Sequence, residues 1–127
     1  MIGIMMSVEI NYVIIVGNKY MKIIAVDFDG VIHDIKHPLP GKRMGAPIAG
    51  AKEALTELKD NLNRIIIFTV RAFDEQGIKV VEDWMNYYNI PYDTITNKKP
   101  AEADIFLDDK AIRFIDWRDA LNKIYDK

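Results

Sequence analysis

The chain has 127 residues, half of them hydrophobic and 28% charged, with 17 Lys plus Arg against 19 Asp plus Glu for a formal charge of −2. That is one domain's worth of chain with enough apolar surface to offset the entropy of ordering, which excludes long-range disorder, and the near-balanced charge excludes a dominant nucleic-acid footprint while leaving room for a local basic patch. It has no cysteine, which excludes a disulfide framework and a thiolate zinc site and is compatible with a cytoplasmic location.

The opening MIGIMMSVEINYVIIVGNKY is apolar but lacks a basic segment ahead of its hydrophobic part, and Glu9 and Asn11 interrupt it, so it does not read as a signal peptide. No stretch reaches the roughly 18 uninterrupted apolar residues of a membrane span, and no membrane partner is expected. Val8, Ile10, Tyr12 and Ile14 alternate with Glu9, Asn11 and Val13, which predicts a strand over 7–16, followed by a turn at Gly17-Asn18. Because Met21-Lys22 is a natural start for the next strand, residues 1–20 are read as an N-terminal extension supplying an edge strand, and residues 21–127 as the core domain.

Residues 22–27, KIIAVD, form a nearly continuous apolar run ending in an acid, the pattern of a strand buried on both faces of a parallel sheet. A Gly/Pro-rich loop is expected over 38–50, then an amphipathic helix carrying Ala51, Ala54, Leu55, Leu58 and Leu62 on one face. Residues 65–68, IIIF, read as a second buried strand, and Ile78, Val81, Trp84, Met85 and Tyr88 as a second helical stripe, ended by Asn89-Ile90-Pro91. Tyr92–Thr96 reads as a short strand, Ala103–Leu107 as another buried one, Ile112–Phe114 as an edge strand and Trp117–Tyr125 as a closing helix. Strands alternating with helices of this length imply an α/β fold, a parallel Rossmann-like sheet with helices on both faces and ligands beyond the carboxyl ends of the strands.

At those ends the order of residues carries chemistry. Asp27 and Asp29 lie two apart at the end of the first core strand, and Gly30 permits the turn that could aim both at one site. Thr69 ends the second strand, and Asp108-Asp109 end the fourth. Clustered carboxylates without sulfur or His partners suit magnesium better than zinc.

The run DFDGVI at 27–32, with Thr69, Lys99-Pro100 and Asp108-Asp109, resembles in order and spacing the four motifs of the haloacid dehalogenase superfamily of phosphatases. The resemblance covers about residues 22–127 and implies a three-layer α/β/α sandwich. It implies Asp27 as the nucleophile that forms an aspartyl-phosphate and Asp29 as the general acid and then base. Thr69 would hydrogen-bond the transferring phosphoryl and Lys99 neutralise it, with the neighbouring Lys98 the lesser candidate. The implied cofactor is Mg2+, held by Asp27, Asp109, Asp108 and the main-chain carbonyl of Asp29; which of Asp108 and Asp109 ligates directly is left open. Gly30 and Arg71, in FTVRAF, are carried as substrate contacts.

Each of these residues has a plainer reading. Asp27 and Asp29 could cap a turn, Thr69 could be a capping hydroxyl, and Arg71 an exposed loop cation. His33 and His37 are four apart, but the prolines and glycine that follow place them in a loop at the site mouth rather than on a metal-binding helix face. Trp84 and Trp117 sit on amphipathic stripes as core or interface residues, and Asp104, Asp116 and Asp119 as solvated or capping acids.

Only 39 residues lie between Asp29 and Thr69 and 29 between Thr69 and Lys99, too few for a sizeable cap domain over the site. The substrate class is therefore a phosphorylated small molecule or a phosphate on a larger one. A homo-oligomer is left open, and nucleic acid is not favoured. The function expected is a phosphomonoester hydrolase, set against a catalytically silent binding module of the same fold, a phosphotransferase, or a polynucleotide-end phosphatase using the same site.

Overall fold

The computed structural model describes residues 22–126, and the strand expected over 7–16 lies outside them. The first strand, β1 (Ile23–Asp27), and β4 (Arg64–Phe68) are runs of β-branched residues paired in parallel, Ile23 opposite Arg64 through Asp27 opposite Phe68. Side chains alternate across a strand. Ile24 and Val26 of β1 thus join Ile65 and Ile67 of β4 in one buried cluster, while Ala25 and Ile66 are buried on the other face. β5 (Thr94–Thr96) pairs in parallel outside β4, and β6 (Ile105–Leu107) outside β1, giving a four-stranded parallel sheet in the order β5-β4-β1-β6.

Among the described residues three α-helices accompany the sheet. The first, α1 (Ala51–Asp60), contacts β4, and α2 (Glu75–Tyr87) contacts β5. Asp74 starts α2 by accepting the Gly77 N–H at 2.8 Å, the usual way a side-chain oxygen satisfies an orphan donor. Asn89, at φ 55°, and Pro91 end it, as the sequence predicts. In α3 (Trp117–Asp126) the first turn is capped by Asp116, which accepts the Asp119 N–H at 2.8 Å. Among the described residues no helix is long and apolar enough to cross a membrane.

Several expectations are corrected. The stretch after Ile32 is an antiparallel hairpin, β2 (His33–Pro38) and β3 (Gly45–Pro47), rather than a loop. Its outer half, from Ile35 to Pro38, is exposed, so HDIKHP lacks the alternation that marks a half-buried strand. His33 itself is buried on β2. Ile112–Phe114 forms no strand, and the run ending at Leu107 is not buried: all three residues of β6 are exposed, this strand having a neighbour on one side alone among the described residues. Leu62 is not on the α1 stripe; the helix has ended, and the residue sits in a left-handed turn at φ 69°, 62% exposed. Trp117 is exposed, its ring edge-on to Phe114, whereas Trp84 belongs to the core.

Candidate active site

A parallel sheet leaves its ligand site beyond the carboxyl ends of its strands. Asp27 ends β1, the inner strand between β4 and β6. The pairing of Val26 with Leu107 sets Asp108 and Asp109, which follow β6, level with it. One carboxylate oxygen from each of Asp27, Asp108 and Asp109 lies within 4.8 Å of the other two. Burial pushes the Asp27 carboxyl up, and the charges of Asp108, Asp109 and Asp29 add to that against a lowering hydrogen bond from the Phe28 backbone, so it is raised to about 6. The Lys110 N–H donates to Asp108 Oδ1 at 2.7 Å. Gly30 has φ +89°, and a Cβ there would overlap the Asp109 carboxylate. Glycine is thus needed twice, for the turn and for the approach of the acid.

Such a cluster fits a hard divalent cation by its chemistry: three carboxylates, no sulfur, no imidazole. Two oxygens on opposite sides of a magnesium ion stand about 4.2 Å apart, close to the 4.8 Å within which these three lie. Like-charge repulsion at Asp27 is what a cation would relieve.

The loop after β1 closes at once. The Phe28 carbonyl accepts the N–H groups of Ile32 and His33 at 2.9 Å each and of Val31 at 3.3 Å. The Asp29 carboxylate is not one of the three that converge. Its Oδ1 meets His33 Nδ1 at 2.7 Å, and its Oδ2 accepts the Arg71 Nε–H at 2.8 Å. Burial raises the Asp29 carboxyl, but the hydrogen bonds from Arg71 and His33, together with the Arg71 charge, outweigh it and hold the group below its ordinary value. Arg71 is half-buried and ion-paired, with its guanidinium 5.9 Å from the Phe28 ring centroid, rather than an exposed loop cation.

Thr69 follows β4 and is buried; its Oγ1 accepts the Arg71 N–H at 3.2 Å, starting the short 3-10 helix Val70–Phe73. In this structure its side chain caps. Lys99 stands apart from the acids, its ammonium 4.9 Å from the Phe106 ring centroid, and it forms no ion pair among the described residues. Lys98 is exposed, its N–H donating to Thr96 Oγ1 at 3.1 Å. His37 is exposed and pairs with Asp34. Asp104 caps the start of β1, accepting the Ile23 N–H at 2.8 Å.

A conserved protein from Bacteroides thetaiotaomicron has a similar structure. It is 28% identical, with a TM-score of 0.57, and the match covers 84% of this chain and 91% of that one. No family model and no curated protein matches the chain. The likeness agrees with an α/β fold built on a parallel sheet.

The structure thus gathers Asp27, Asp108, Asp109 and Gly30 on one side of the β1 end, and Asp29, Arg71 and Thr69 on the other. Sequence reasoning missed His33. Its ring is 1% exposed, stacked on Phe28 at 5.1 Å and 13°, with the edge of Trp84 at 5.4 Å. The available signal was its position four residues after an acid, across a glycine turn that brings the two back together.

Proposed function

We propose that the chain is a capless, magnesium-dependent phosphomonoesterase of the haloacid dehalogenase type, its sheet forming the middle of a three-layer α/β/α core. The observation that carries this reading is the convergence of Asp27, Asp108 and Asp109 at the ends of adjacent parallel strands, with a fourth acid, Asp29, two residues on and separately held. Asp27, Asp109, Asp108 and the Asp29 main-chain carbonyl would hold the cation. One Asp108 oxygen already accepts the Lys110 N–H, whereas Asp109 is drawn in against Gly30, which favours Asp109 as the direct ligand. Magnesium bound there would neutralise charge on the phosphoryl group and on the acids around it.

In this reading an ionised Asp27 oxygen attacks phosphorus, the bond from phosphorus to the ester oxygen breaks, and Asp29 gives its proton to the departing alkoxide. Water then attacks the aspartyl-phosphate and gives a proton to Asp29, and Asp27 is released with inorganic phosphate. Asp29 is held ionised, the state that serves the second step. For the first it must carry a proton, and Arg71 turning from Oδ2 to an incoming phosphate would remove its strongest stabilising partner. Thr69, just after β4, would meet a phosphoryl oxygen if its hydroxyl hydrogen were directed outward. Lys99, over Phe106, enters on the resemblance alone.

Between β1 and β4 the chain adds no more than the hairpin and α1, so the site is open, which suits a phosphate on a large molecule or a small substrate closed in by a second subunit. The test is release of inorganic phosphate from p-nitrophenyl phosphate and a panel of phosphosugars and nucleotides, with and without magnesium. Magnesium-dependent release that disappears in Asp27→Asn is expected; turnover unchanged in that variant would sink the proposal.

A further inference from the structure

We infer that His33 is a positioning residue that fixes the orientation of Asp29 for proton transfer to the leaving group; this rests on the phosphatase reading and adds to it a residue outside the four motifs. The backbone N–H of Gly45 donates to His33 Nε2 at 2.8 Å. An amide N–H can only donate, so Nε2 presents its lone pair and the ring proton of this hydrogen-bond set sits on Nδ1, from which it is donated to Asp29 Oδ1. The ring cannot turn over without losing both bonds, and Phe28 and Trp84 clamp its faces and edge.

The two partners of Asp29 therefore differ in kind. Arg71 is 29% exposed and can exchange Asp29 for a phosphate oxygen, whereas His33, 1% exposed, has nowhere else to go. When Arg71 leaves, His33 keeps Oδ1 occupied and leaves Oδ2 as the oxygen directed at the ester. The clamp is itself anchored: Trp84 Nε1–H donates to the Gly45 carbonyl at 3.0 Å, and a side chain at Gly45 would overlap the Asp34 carbonyl. Hydrogen bonds run from α2 through Gly45 and His33 to Asp29, so the β2–β3 hairpin serves as the support that locks a reacting carboxylate.

The test pairs two substitutions that each delete one of the two ring contacts. In His33→Asn the amide nitrogen reaches about where Nδ1 lies and keeps the Asp29 bond; in His33→Gln the amide oxygen reaches the Nε2 position and keeps the Gly45 bond. Each leaves one buried polar group unpaired, so their melting temperatures should be comparable. Rates are measured on p-nitrophenyl phosphate, whose leaving group departs without a proton, and on an alkyl phosphate, whose leaving group needs one. His33→Gln should lower kcat/KM, which reports the step in which the ester oxygen departs and not the later hydrolysis common to both esters, about tenfold more for the alkyl ester than for the aryl ester, and His33→Asn should keep the wild-type ratio. An equal fall on both esters, or the same profile for both variants, would overturn the inference. Should the wild-type protein turn over no phosphate ester, the phosphatase reading fails by itself. The 15N spectrum of the ring then decides the positioning contact: a protonated Nδ1 with a bare Nε2 supports it, and the opposite tautomer overturns it.

Discussion

On one side of β1 stands β4, whose Ile65, Ile66 and Ile67 are buried to within 2% of complete. On the other stands β6, where Ile105, Phe106 and Leu107 are 39%, 41% and 43% exposed. The candidate site straddles this boundary. From the packed side comes the holding of Asp29, through a buried imidazole, an aromatic clamp and the half-buried Arg71. From the open side come Asp108 and Asp109, exposed acids whose approach to Asp27 depends on one glycine. On the proposed reading, the group that must keep one orientation is built into core, and the groups that would meet an ion from solvent are left at an edge.

The largest expected difference between the two sides is in stability. Ile67→Ala removes a fully buried side chain and should cost about 2–5 kcal/mol in a denaturant titration. Leu107→Ala on β6 should cost less than about 1 kcal/mol. Equal losses would erase the contrast. In function the order reverses: Asp109→Asn should lower kcat/KM about a hundredfold and raise the magnesium concentration for half-maximal rate, with Asp108→Asn milder. A magnesium titration of each variant checks it, and the reverse ranking would move the direct ligand to Asp108.

Gly30→Ala joins the two sides. Strain at φ +89° together with overlap with Asp109 should cost about 1 kcal/mol of stability and weaken the response to magnesium, while Gly41→Ala, at φ +72° but with open space around it, should show the strain alone.

The last effect is that of pH on the metal-free protein. With Asp27 raised from 3.8 to about 6 in the folded state, the native protein keeps a proton between these values that the unfolded chain has lost. Unfolding then releases a proton, so this group's contribution falls as pH rises from about 4 to about 6 and is level above that. The melting temperature of Asp27→Asn should gain on that of the wild type across this window. A gap that stays constant with pH would mean that burial and the neighbouring acids do not raise Asp27.

Much of this arrangement was legible in the sequence. KIIAVD and IIIF fixed the two inner strands because their β-branched runs meet burial on both faces, and the acids follow from where those strands end. Helix α2 was readable from its stripe and from the Asn89-Ile90-Pro91 stop. The hairpin was not, since HDIKHP buries one residue, His33, half-buries Asp34 and leaves the rest in water. Nor was the exposure of β6, because ADIFL is as apolar as a core strand and only the position of a strand in the sheet decides what covers it. Arg71 and His33 meet Asp29 across 42 and 4 residues; the first of these pairings depends on tertiary contact that local patterning does not encode.

The central claim is that Asp27 is a nucleophile with a cation site beside it on Asp108 and Asp109. Fluorine NMR of the protein with beryllium fluoride and magnesium tests this most directly, because the fluoride complex mimics a phosphoryl group on a reactive carboxylate. A bound fluoride signal that requires magnesium and vanishes in Asp27→Asn is predicted. No bound signal in the wild-type protein, or one that persists without Asp27, would contradict the claim.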